Sequence, residues 1–112
     1  MARSVNRGEI WQYRFKTPDK RRPVVVLSRQ GVIPLLHTVM VAPVTSTRRG
    51  APSEVAVGVD EGLKHESAVN LDHVQTVERA RLVSFVGSLN AAQMRRVCRV
   101  CRALAIATGC SD

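Results

Sequence analysis

The chain has 112 residues and a mass of 12.3 kDa, enough for a single domain over residues 1–112 and too short for a second hydrophobic core. Apolar side chains make up 45% of it, which excludes wholesale disorder, and no apolar run approaches the ~20 residues of a membrane-crossing helix. Seventeen basic residues, fourteen of them arginine, oppose nine acidic ones for a net charge of +8, which favours a polyanionic partner, nucleic acid ahead of a membrane surface.

Aromatic residues are scarce at 4%, so a nucleic-acid platform built on many stacked rings is not expected. Residues 1–8 lack the apolar segment of a secretory signal. The cysteine count is odd, and Cys98, Cys101 and Cys110 cluster near the C-terminus instead of spreading as a disulfide framework would. These features predict a reducing, cytoplasmic setting.

In chain order, residues 9–15 alternate Ile10, Gln12 and Arg14 against Trp11, Tyr13 and Phe15, which predicts a first strand. A polar turn follows, and then residues 23–28 form an uninterrupted apolar strand expected to be covered on both faces. Residues 37–44 read as a third strand, leading into an arginine-bearing loop at 45–52. Val55, Val57 and Val59 alternate as a half-exposed strand; residues 68–71 and 74–77 are shorter candidates, and 81–87 is a last strand ending at glycine.

The C-terminal segment predicts a helix. Asn90 is a good N-cap, Gln93 completes a capping box, and Leu89 with Met94 can form a hydrophobic staple. Met94, Val97, Cys98, Cys101, Leu104 and Ala105 make an apolar stripe, Arg95, Arg99 and Arg102 face away from it, and Gly109 stops the helix. Short strands with one packing helix predict a mainly β (α+β) fold, a small curved sheet or partly open barrel.

Chemistry-bearing clusters are few. Cys98 and Cys101, three apart on the apolar stripe, read as packed core thiols, since structural zinc needs four ligands and no second pair exists. His37 and His65 read as structural and solvated; His73, beside Asp72 in a polar cluster, is the histidine to watch. No carboxylate pair suggests a glycosidase or a two-metal nuclease, so neither metal nor cofactor is expected. Two basic runs close polar turns at strand ends: Lys20, Arg21 and Arg22 before the second strand, and Arg48 with Arg49 after Thr45, Ser46 and Thr47. There guanidinium groups, hydroxyls and backbone amides can converge on a phosphate.

The segments RGEIW (7–11), RRPVVVLS (21–28), VMVAPVT (39–45), SAVNLDHVQT (67–76) and RLVSFVGSL (81–89) occur in the order of the MazF/PemK toxin family, and the chain resembles that family from about Arg7 to Thr108. The resemblance implies a small SH3-like barrel of short, mostly antiparallel strands with a C-terminal helix, acting as a homodimer. It further implies a metal-independent endoribonuclease toxin that cuts single-stranded RNA at a short sequence and is blocked by a cognate antitoxin protein. In that family the 2′-hydroxyl attacks the adjacent phosphate, leaving 2′,3′-cyclic phosphate and 5′-hydroxyl ends.

Matched residue by residue, the resemblance implies Arg22 and Thr45 as the catalytic pair, with Thr17, Lys20, Arg21, Ser46, Thr47, Arg48, Asp72 and His73 as RNA contacts. A guanidinium suits the doubly charged, phosphorane-like transition state. An ordinary arginine stays protonated, which leaves the base unassigned and His73 as one candidate for acid–base chemistry. The first loop, residues 16–20, is shorter than in many members, which changes the part that usually shapes the RNA groove. Two rival functions are a gyrase-poisoning toxin on the same fold class, which would not need Arg22 with Thr45, and a non-catalytic RNA-binding barrel.

Overall fold

The sequence folds around one strand that is covered on both sides. In the computed structural model, which describes residues 4–16 and 20–100, Val24 to Leu27 lose all but 1% of their exposure. They belong to strand β2 (Arg21–Val26) and the residue after it, flanked by β1 (Glu9–Arg14) and β3 (Thr38–Thr45). Around them lie β4 (Glu54–Val57), β5 (Ser67–Asn70), β6 (Gln75–Glu78) and β7 (Leu82–Ser88), and helix α1 (Ala91–Val100) follows.

Every strand pairing is antiparallel, in the order β4-β5-β3-β2-β1-β7, with β6 also on β3. The sheet curls into a half-barrel because β3 serves two partners in succession. Its first half pairs with β6, from Thr38 opposite Glu78 to Val41 opposite Gln75. Its last residues pair with β5, Val44 opposite Val69 and Thr45 opposite Ala68. Pro43 sits between these two ladders, where a missing backbone donor costs least.

Strand alternation divides the core in two. Ile10, Val25, Ala42, Val44, Val55, Val57 and Val69 face one side, where Leu89 and Val97 of the helical segment cover them. Trp11, Tyr13, Val24, Val26, Val39 and Val41 fill the other side, and Phe85 meets Trp11 edge-on at 6.0 Å. Burying these chains at roughly 25 cal/mol per Å² is the main force holding so small a domain. The buried Glu9 carboxylate is satisfied by the Asn6 N–H at 2.8 Å and the Trp11 indole N–H at 3.1 Å.

All the strands expected from the sequence are present, and so is the helix start. Asn90 Oδ1 accepts from the Gln93 N–H and Gln93 Oε1 from the Asn90 N–H, both at 2.8 Å, a reciprocal capping box. Three expectations are corrected. Val59 does not continue the β4 alternation: β4 stops at Val57, and Val59 is 64% exposed in a 3-10 turn, Val59–Glu61. Cys98 is half-buried but disulfide-bonded rather than a free packed thiol, and its sulfur accepts from the Arg7 guanidinium at 3.5 Å. Short 3-10 turns, among them Leu71–His73, replace the loops expected between strands. Cys101, Leu104, Ala105, Arg102 and Gly109 lie outside the described residues, and among those described no helix is long and apolar enough to cross a membrane.

Candidate RNA-cleaving site

Arg22 and Thr45 lie at the open ends of adjacent strands. Leu27 N–H donates to the Met40 carbonyl at 2.8 Å, which marks those two residues as a hydrogen-bonded pair. The β2–β3 register then runs Val26 to Val41, Val25 to Ala42 and Val24 to Pro43. The paired residues end there, and Arg22 and Thr45 lie two positions beyond that last pair, at the neighbouring ends of β2 and β3. On the other flank of β2, Tyr13 of β1 is the partner of Arg22.

The pair therefore projects from the face that carries Val24 and Val26, but beyond the core, where Arg22 is exposed and Thr45 half-buried. The Thr45 hydroxyl oxygen accepts the Thr47 backbone N–H at 3.1 Å, so its own proton remains available to an incoming acceptor. Five cations, Lys20, Arg21, Arg22, Arg48 and Arg49, are exposed on the two segments around it.

The remaining candidates divide. Lys20 closes the β1–β2 connection, its carbonyl accepting the Phe15 N–H at 3.2 Å. Ser46, Thr47 and Arg48 continue directly from Thr45 into the exposed loop. Asp72 and His73 are brought beside β3 by the Leu71–His73 turn, which crosses from β5 to β6 where β3 changes partner. Asp72 is held there by Ser53 Oγ, which donates to its carboxylate at 2.6 Å, and by its N–H on Asn70 Oδ1 at 3.0 Å. Arg21 is set apart: strand alternation turns it to the face opposite Arg22, and its β1 partner is Arg14. Thr17 lies outside the described residues.

One residue that the sequence reading did not single out shapes the loop. The Glu54 carboxylate, at the start of β4, accepts the Arg49 N–H at 3.1 Å and the Gly50 N–H at 2.9 Å. Gly50, at φ +72°, supplies the left-handed residue that lets the turn fold back on Glu54. An acidic residue a few positions after a glycine-ended basic run was the signal available. Among the described residues no group of three His, Cys, Asp or Glu side chains is placed to hold a metal ion.

A curled antiparallel half-barrel with five exposed cations around two strand ends offers a surface suited to a polyanion such as a phosphodiester chain. The chain matches the model of the PemK-like, MazF-like toxins of type II toxin–antitoxin systems over residues 6–105, and it belongs to that family. It is 46% identical over 107 residues, 94% of either chain, to a protein named probable endoribonuclease MazF5 from Mycobacterium tuberculosis. Over 75 residues, 67% of this chain and 73% of the other, it is 44% identical to endoribonuclease MazF3 of the same organism. Among solved structures, Mycobacterium tuberculosis toxin MazF-mt6 superposes with a TM-score of 0.75 at 34% identity, covering 93% of this chain and 99% of that one.

Proposed function

We propose that this chain is the endoribonuclease toxin of a type II toxin–antitoxin pair, cutting single-stranded RNA without a metal ion and so arresting translation. The observation that supports the reading is that Arg22 and Thr45 stand at neighbouring ends of β2 and β3, each two residues beyond the last pair, Val24 opposite Pro43. Membership of the toxin family and the 46% identical relative named as an endoribonuclease support it from the other side.

In this mechanism the ribose 2′-hydroxyl attacks the adjacent phosphorus, the bond to the 5′-oxygen of the next nucleotide breaks, and a 2′,3′-cyclic phosphate and a 5′-hydroxyl result. The phosphorane-like transition state carries about one more negative charge than the bound diester, so a fixed guanidinium stabilises it more than the ground state. Thr45, its oxygen held by the Thr47 N–H, donates a hydrogen bond to a non-bridging oxygen. Asp72 and His73, beside the middle of β3, flank the incoming RNA, and His73 is the candidate for moving the proton of the nucleophile or of the leaving oxygen. The family pairing makes an antitoxin the natural partner, and a homodimer on cytoplasmic RNA is the working assembly of one domain spanning residues 1–112.

The test is cleavage of single-stranded RNA in excess EDTA by wild-type protein and by Arg22→Ala. The expected result is cleavage by the wild type, cyclic-phosphate ends, and a rate lower by ~10²–10³ in the variant. Intact RNA with folded wild-type protein refutes the reading, and inhibition of gyrase in its place would establish a toxin without nuclease chemistry.

A further inference from the structure

Thr45 is paired with Ala68 of β5, and Ala68 with Ala56 of β4, so a cross-strand row runs from the end of β3 to the edge strand β4. At about 4.8 Å per strand, Ala68 lies roughly 5 Å and Ala56 roughly 10 Å past Thr45. Both are alanines, and both line a groove of about 640 Å³ whose other lining includes Arg48 and, from α1, Arg96 and Arg99.

Charge makes this groove notable. Arg96 and Arg99 are three apart on one helix face, a spacing at which like charges repel. Among the described residues none of the three guanidinium groups lies within ion-pair distance of a carboxylate. Among the described residues Glu54 is the one acidic residue lining the groove, and its carboxylate is already committed to the Arg49 and Gly50 backbone N–H groups. The helical wall is fixed by the capping box and by Gln93 Nε2, which donates to the Ala56 carbonyl at 3.4 Å. Three cations lining one groove at the edge strand β4, beside the end of β3 where Thr45 pairs with Ala68, suit a phosphodiester.

We propose that Arg96 and Arg99 of α1, together with Arg48, form a second phosphate subsite that carries the RNA track past Ala68 and Ala56, away from the cleaved bond. This rests on the reading of the chain as an RNA-cleaving enzyme. The subsite binds backbone and not bases, so it sets how long an RNA the enzyme prefers and leaves the chemistry alone.

The experiment compares wild type with the Arg96→Gln/Arg99→Gln double variant and with Arg95→Gln, whose side chain is exposed on α1 but does not line the groove. Binding is measured against salt with a 2′-O-methyl oligoribonucleotide, which lacks the nucleophile. Loss of two phosphate contacts from a single strand makes log K against log salt shallower by about 1.4. A tenfold drop in salt then strengthens wild-type binding about 25-fold more than the variant's. With cleavable RNA, the variant raises KM for a long substrate, leaves kcat unchanged, and matches wild type on a short one that just spans the cleaved bond. Arg95→Gln stays close to wild type throughout. An unchanged slope and KM in the double variant overturns the proposal, and so does a changed association state with an unchanged slope, which would make the groove an interface between copies. Wild-type protein that binds RNA but never cuts it defeats the nuclease reading alone.

Discussion

Thr45→Val is the sharpest perturbation of the cleavage pair, because it keeps the shape and removes only the hydroxyl. Valine is β-branched like threonine and suits the last position of β3 at least as well, so the Thr45–Ala68 pairing stands. What is lost is one acceptor for the Thr47 N–H and one donor to substrate. The first loss is small, since Thr47 is exposed and its N–H can turn to water; stability should move by no more than about 0.5 kcal/mol. The second is worth about 2.7–4 kcal/mol of transition-state stabilisation if Thr45 donates to a non-bridging oxygen, or ~10²–10³ in kcat. The assay is single-turnover cleavage beside a thermal melt, with Thr45→Ser included. Serine restores the donor and should recover most of the rate, and KM should hardly change in either variant. Cleavage by Thr45→Val within about threefold of wild type, with the fold intact, would refute the donor role and leave the transition-state charge to Arg22 alone.

Two further predictions test how the scaffold is held. A Cβ at Gly87 would lie 1.9 Å from the backbone oxygen of Glu61, a contact no rotamer can relieve, whereas one at Gly31 meets nothing within 4 Å. Gly87→Ala should cost about 3 kcal/mol or more and lower Tm by more than about 10 °C, while Gly31→Ala should be neutral or raise stability by ~0.4–1 kcal/mol. Equal melting temperatures would show that the Val59–Glu61 turn is not seated on β7. Asn90→Ala removes one half of the capping box and should cost about 1 kcal/mol, seen as a lower denaturant midpoint at unchanged slope.

The strands were legible because their apolar runs and turn residues are local signals. Val24 to Leu27 announce a doubly covered strand, and Asn90 with Gln93 announces where the helix begins. What joins distant segments left no local mark. That β3 divides its edge between β6 and β5 follows from the curl of the sheet, and with it comes the placing of Asp72 and His73 beside β3. Val59 was read onto β4 because alternation was counted without the break at Gly58, where Leu63 and Glu61 N–H groups turn back onto the Gly58 carbonyl. The nomination of Arg22 and Thr45 rests on likeness to a family, since a run of basic residues is by itself a solvated loop. Arg99 was read as the wet face of a helix, which is correct relative to the helix's own stripe. A helical wheel does not say that another loop's arginine lines the same groove.

In the proposed mechanism, the placement of Arg22 and Thr45 is what lets a domain this small act on a phosphodiester. A guanidinium buried in advance would carry a desolvation cost in the resting protein and would need a counter-ion that competes with substrate. Arg22 avoids this by standing two residues before Val24, so its backbone leads into the fully buried Val24 to Val26 while its charge remains in water. RNA itself then supplies the exclusion of water, and the charge is screened least when the phosphate is seated. Fixed backbone, exposed head group and a hydroxyl already hydrogen-bonded from behind are the conditions under which a donor stabilises developing charge more than resting charge. Sequence preference then has to come from elsewhere, because neither group reads a base. That leaves the loops around the pair, the short connection after Phe15 and the turn pinned by Glu54, as the parts in which members of one scaffold can differ without disturbing its chemistry.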